Sequence, residues 1–124
     1  MTARTPEEIH ELIAVALNAG DLDAFMDLHE DGATALVPPE GRRVSGTKDL
    51  RAALAPIFAL GPEARIEVLG KLQADELALT HARVSVVAGS GDERLELSGP
   101  GTIVSRRQPD GTWRIVLDNP LTPR

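Results

Sequence analysis

The chain contains histidines at positions 10, 29 and 81 but no cysteine and no tyrosine. Disulfides, thiolate nucleophiles and cysteine-based metal or iron–sulfur sites are therefore excluded, and no phenol can donate a proton. Acid–base chemistry falls to imidazoles and carboxylates. His81 is the first candidate. It lies within the apolar run Leu77–Ala88, where alternation groups it with Leu77, Leu79 and Arg83, opposite Ala78, Thr80, Ala82 and Val84. On a concave face it would be an imidazole titrating near neutrality. An isolated histidine beside an arginine is more often a surface residue, and that reading carries more weight. Glu40 follows Pro38-Pro39 and is either a carboxylate base or a polar loop residue before Gly41. Asp118 and Asn119 close the last apolar run before Pro120, where they either line a rim or cap the strand end.

Other constellations are weaker. His29-Glu30-Asp31, with Asp27 nearby, has metal-capable side chains, but no second histidine stands at a ligand spacing such as H-x-x-x-H. These acids read as solvated punctuation at a helix end, and no metal is expected. His10 flanks an apolar stripe and is expected to be exposed. The serines lack the G-x-S-x-G context of a nucleophile elbow. Gly89-Ser90-Gly91 is a turn rather than a phosphate cradle, because no helix follows it.

The elements that must position these residues change character along the chain. Thr5-Pro6-Glu7-Glu8 is a capping box, followed by Ile9, Leu12, Ile13, Ala16 and Leu17 at helical spacing and by Gly20 as a C-terminal stop. Asp21 caps a short second helix with Leu22, Phe25 and Met26 inward and His29 a further candidate for its inner side. Ala33–Val37 reads as a strand ended by Pro38-Pro39, with Arg42–Val44 pairing back. Thr47 is expected to cap a third helix through about Ala59, which Pro56 should kink or shorten. From residue 64 the period becomes two: strands over about 65–73, 77–88, 94–107 and 112–118. Gly99-Pro100-Gly101 is expected to mark a bulge, and Pro109-Asp110-Gly111 a tight turn. Leu121-Thr122-Pro123-Arg124 reads as a loose end. Helices in front and strands behind imply an α+β fold: a curved antiparallel sheet around three N-terminal-half helices, with room for a cavity.

Several phrases carry a resemblance. They are Ala16-Leu17-Asn18-Ala19-Gly20-Asp21-Leu22-Asp23-Ala24, His29-Glu30-Asp31-Gly32-Ala33-Thr34, Ser45-Gly46-Thr47 and Asp110-Gly111-Thr112-Trp113-Arg114-Ile115-Val116. Their order and spacing resemble the nuclear transport factor 2-like superfamily, within it the SnoaL-like polyketide cyclase and ketosteroid isomerase branch. The resemblance covers nearly the whole chain and implies a cone-shaped fold. It also aligns Ile13 with the isomerases' tyrosine and Val37 with their general base. The place of their protonated aspartate, near Ser98–Pro100, holds no acid. An aliphatic side chain neither takes a proton nor steadies an enolate, so the isomerase mechanism is not expected. Glu40, close to where the family base stands, would be a displaced substitute.

Length and composition set the remaining bounds. The 124 residues suffice for one domain, 1–124, and the aromatics are only Phe25, Phe58 and Trp113, so the core must be aliphatic. A net charge of -6 argues against nucleic acid as partner, and no apolar stretch has the length of a membrane span. With no signal-like segment, the expected location is cytoplasmic. No cofactor is implied. The leading expectation is a binder of a small apolar or amphipathic molecule in a cavity lined by Ile13, Leu17, Phe25, Met26, Val37, Phe58 and Trp113. The alternatives are a divergent cyclase, isomerase or hydrolase using His81, Glu40 or Asp118, and an assembly module with a filled cavity. A homodimer packed through the sheets is expected, both from the apolar run 77–88 and from the resemblance.

Overall fold

The computed structural model describes residues 1–120, so the expectation of a loose end at 121–124 lies outside the described residues. Helix α1 (Pro6–Ala19) starts at Thr5, whose hydroxyl accepts from the Glu8 amide, and stops at Gly20, which adopts a left-handed φ of 67°. The Glu8 carboxylate reaches back one residue beyond the cap, to the Arg4 amide at 2.8 Å. Asp21 caps α2 (Leu22–Met26) through the Ala24 amide. Helix α3 (Thr47–Ala59) begins without a side-chain cap: Thr47 instead donates its hydroxyl to the Asp31 carbonyl. Pro56 sits inside α3 without ending it, since the helix runs on to Ala59.

The strands are β1 (His29–Val37), β2 (Arg42–Ser45), β3 (Glu63–Ala74), β4 (Leu77–Ala88), β5 (Leu95–Arg107) and β6 (Trp113–Asn119). They form one sheet in the order β2-β1-β6-β5-β4-β3. The α+β expectation holds, but one pairing departs from an antiparallel sheet: β1 and β6 run parallel. The physical reason is the crossover. After the β1–β2 hairpin, α3 carries the chain to the far edge of the sheet. The meander β3–β6 then works back strand by strand until β6 meets β1 in the same direction.

The helices cover the concave face. Asn18 at the end of α1 mimics a strand partner for β3, accepting from the Ala64 amide at 2.7 Å and donating to the Ala64 carbonyl at 3.1 Å. Among the described residues, no helix is long and apolar enough to cross a membrane.

The bulges are not where the glycines suggest. Gly99-Pro100-Gly101 runs in unbroken register with Val84, Arg83 and Ala82 of β4. The slip near the site lies instead between β5 and β6: Ser105 faces Ile115 but Val104 faces Leu117, so Val116 is an extra residue. Strict alternation would send Trp113, Ile115 and Leu117 inward together. With Val116 inserted, Trp113 and Ile115 are buried, Leu117 is 48% exposed, and Asp118 turns inward.

Candidate active site on the concave face

A cavity of about 90 Å³ remains between the helices and the concave face of the sheet. Its wall is almost wholly aliphatic and aromatic. Ile13 and Leu17 come from α1, Phe25 from α2, Val37 from β1 and Phe58 from α3, with Val84, Leu97 and Ile103 from the sheet. The positions that resemblance aligned with the isomerase tyrosine and base, Ile13 and Val37, are thus aliphatic walls of a real cavity. Met26 and Trp113 are buried in the core but do not border it. Trp113 lies at the opposite end of β6 from Asp118, where its amide donates to the Ala3 carbonyl and ties down the N-terminal segment.

Three ionisable side chains interrupt this apolar wall: Asp118, His29 and His10. Asp118 stands beside Ile103 of β5 and Ala35 of β1. It retains some accessible surface because it borders the cavity, yet protein surrounds it deeply enough that desolvation raises its pKa from 3.8 to about 7. Among the described residues its carboxyl has no hydrogen-bond partner. Gly101 makes room for this strand end: a Cβ there would sit 3.3 Å from Pro120 Cα and 3.4 Å from the Asn119 carbonyl oxygen.

His29 is 4% exposed, and its Nδ1 lies 2.9 Å from the Phe25 carbonyl. Its ring rests tilted on Phe25 with centroids 5.0 Å apart, and Phe25 meets Phe58 edge-on at 5.3 Å. Desolvation lowers the His29 pKa to about 4, against the bonds to the Phe25 and Met26 carbonyls, which raise it. His10 is likewise buried rather than exposed, with Nε2 2.6 Å from the Thr80 hydroxyl. Desolvation takes its pKa to about 4, opposed by the charge of Glu7. Both histidines are neutral at pH 7.

A signal for each was present. His10, Ile13 and Leu17 share a helix face at spacings of three and four, and His29 shares odd-numbered parity with Ala33, Ala35 and Val37. The preference for polar residues outside hid His10, whereas His29, a candidate for the inner side of α2, is buried at the start of β1.

The other candidates lie elsewhere. His81 is on the outer face, exposed, with Nδ1 3.3 Å from the Thr102 hydroxyl and next to an Arg83 that pairs with Glu67 at 2.9 Å. Glu40 is exposed on the turn after Pro38-Pro39 and does not border the cavity. The Glu30 carboxylate binds Arg106 and Gln108. Among the described residues, no group of three or more His, Asp or Glu side chains is placed to hold a metal ion.

The same architecture recurs in solved structures. A protein assigned as a calcium/calmodulin-dependent protein kinase type II association domain, from Thiobacillus denitrificans ATCC 25259, is similar with a TM-score of 0.76 and 22% identity over 98% of this chain and 99% of that one. A domain of unknown function with a cystatin-like fold, from Nostoc punctiforme PCC 73102, aligns with a TM-score of 0.74 and 20% identity over 90% of this chain and 71% of that one. A protein assigned as a dehydratase of the NTF2-like family, from Streptomyces avermitilis, aligns with a TM-score of 0.73 and 16% identity over 91% and 90%. At these identities the likeness is one of fold. No curated protein matches the sequence. The family model of the SnoaL-like domain matches residues 9–116, and the chain belongs to that family.

Proposed function

We propose that the chain binds a small, mainly apolar molecule with a polar group in the cone cavity, and that Asp118 is the residue that engages that group. The observation that carries this reading is a single carboxyl, with no hydrogen-bond partner among the described residues, in a largely apolar wall whose other ionisable groups are two neutral imidazoles. An apolar wall supplies affinity, and a few placed polar groups supply orientation. A half-protonated carboxyl both donates and accepts near pH 7.

The test is native mass spectrometry for retained ligand, with a thermal-shift screen of steroids, polyketides and aromatic acids on the wild type and Asp118→Leu. A true ligand at a hundredfold excess over Kd stabilises by about 2.7 kcal/mol. The stabilisation should shrink in the variant. Compounds that stabilise both proteins equally would remove Asp118 from the reading, and no shift with any compound would favour an assembly module.

A second reading rests on the same residue. A carboxyl raised to about 7 by burial is suited to general acid–base catalysis, which supports a cyclase, isomerase or dehydratase type of reaction through Asp118 rather than His81 or Glu40. The fold shared with the Streptomyces protein is compatible with this.

We further propose that a second copy covers the outer face of the sheet. Leu72, Leu79, Val104 and Leu117 stand in one row across four strands, opposite one another in successive pairings. Leu72 is 73% exposed and Leu117 48%. The Glu67–Arg83 pair on the same face offers both charge signs, as a self-complementary twofold contact requires.

A further inference from the structure

The cavity has a second polar feature that no group among the described residues satisfies. His29 Nδ1 lies 2.9 Å from the Phe25 carbonyl oxygen, which only accepts, so Nδ1 carries the proton. The ring is neutral because burial holds its pKa at about 4. In a neutral imidazole protonated on Nδ1, Nε2 is a bare lone pair. That atom is buried and has no hydrogen-bond partner among the described residues. Buried acceptors are almost always paired, and His29 is one of the residues bordering the cavity, so its orphan nitrogen points to an occupant of that cavity. His10 does not compete for this role, since Thr80 already engages its Nε2.

Resting on the cavity reading above, we propose that His29 Nε2 accepts a hydrogen bond from a hydroxyl of the cavity ligand. The ligand class is then a small, mainly apolar alcohol rather than a hydrocarbon, a ketone or an anion, because a lone pair attracts a donor and repels an acceptor. The sheet places the two polar walls at a useful separation. His29 pairs with Ile115 in the parallel β1–β6 register, and Asp118 lies three positions further along β6. Because Val116 is bulged, that stretch spans only two positions of β5, Ser105 to Ile103, roughly 7 Å along the strand at about 3.4 Å per residue. A single compact molecule therefore reaches His29 with its hydroxyl while a second polar group at its other end meets Asp118.

The experiment uses the full ¹⁵N- and methyl-labelled chain with cyclohexanol and methylcyclohexane as probes of nearly equal size. Long-range ¹H–¹⁵N spectra at pH 7 should show His29 as the Nδ1–H tautomer. Cyclohexanol should shift the Nε2 resonance towards the hydrogen-bonded range together with the Val84 and Ile103 methyls. Methylcyclohexane should move the methyls alone. His29→Phe keeps the ring against Phe25 and should erase a preference for the alcohol of at least fivefold in Kd. An Nε2–H tautomer, or methyl shifts from cyclohexanol with Nε2 unmoved, overturns the role of His29 and leaves the cavity reading standing. Methyls that respond to neither probe overturn both. The wild-type spectra decide the matter even if the variant fails to fold.

Discussion

Asp118 stands opposite Ile103 across the β5–β6 ladder, so a carboxyl and a buried branched aliphatic share the concave face of the sheet. The relationship exists because Val116 is an extra residue in β6. It sets the titration behaviour expected of the protein.

For Asp118 the folded pKa of about 7 exceeds the ordinary 3.8, so the folded state holds its proton more tightly than the unfolded chain. Its contribution to stability is fully present below pH 3.8 and is lost as pH rises to about 7, up to about 4 kcal/mol in all. Asp118→Asn removes this loss. The variant should exceed the wild type in stability at pH 8, and the difference should vanish towards pH 4. Urea midpoints at pH 4, 6 and 8 check this, and a constant difference across the range would refute it.

The buried histidines act in the opposite sense. Each pKa falls from 6.5 to about 4, so the unfolded chain binds these protons first as pH drops. Stability is lost between pH 6.5 and 4, by roughly 3 kcal/mol for each ring. Two histidines outweigh one aspartate over that window, which places the net optimum near pH 6.5 from these groups. His29→Phe leaves one histidine against Asp118 and should nearly abolish the acid limb, read as the slope of unfolding free energy between pH 4.5 and 6.

Gly101→Val tests the strand end beside Asp118. Its Cβ would lie 3.1 Å from the Val84 Cγ2 and 3.3 Å from Pro120 Cα, with further methyls to place. The β6 end must shift or the cavity must fill. The expected cost is about 1–3 kcal/mol, with loss of probe binding while the circular dichroism spectrum is unchanged. Unaltered binding would show that the cavity does not reach this point.

Gly89 is the steepest local constraint. Its φ is 72°, and an added Cβ would meet the Glu93 carbonyl oxygen at 2.6 Å. The same residue donates its amide to Leu60 at the end of α3, fixing the β4–β5 turn to the helix. Gly89→Ala should cost roughly 2–3 kcal/mol, seen as a fall in Tm, because strain and overlap add.

Leu117→Lys separates assembly from folding. Because Leu117 faces outward, the charge should leave the unfolding free energy of the monomer within about 0.5 kcal/mol while weakening self-association in sedimentation at least tenfold. Ile115→Lys, two residues away and fully buried, should prevent folding.

The helices were legible because their evidence is local: Thr5, Asp21 and Gly20 cap as their chemistry dictates, and the apolar stripe of α1 faces the sheet. The period-two runs located the long strands, and Ile13, Leu17, Phe25, Val37 and Phe58 face the cavity from the elements expected to supply them. Other features were not local. The parallel β1–β6 contact depends on the order in which strands are laid down. Val116 carries no mark of a bulge, whereas Gly99-Pro100-Gly101 looks like one and runs in register.

The sequence by itself determined what chemistry was absent: no thiol, no phenol, and aliphatic residues, Ile13 and Val37, at the positions that the resemblance aligned with the isomerases' tyrosine and base. Only the tertiary structure decided what remained. Whether a side chain is in water or against hydrocarbon depends on the parity of its strand at that residue, and one inserted residue reverses parity from there on. That reversal put Leu117 outside and Asp118 inside. Burial by distant segments likewise took His10 and His29 out of solvent while leaving His81 in it.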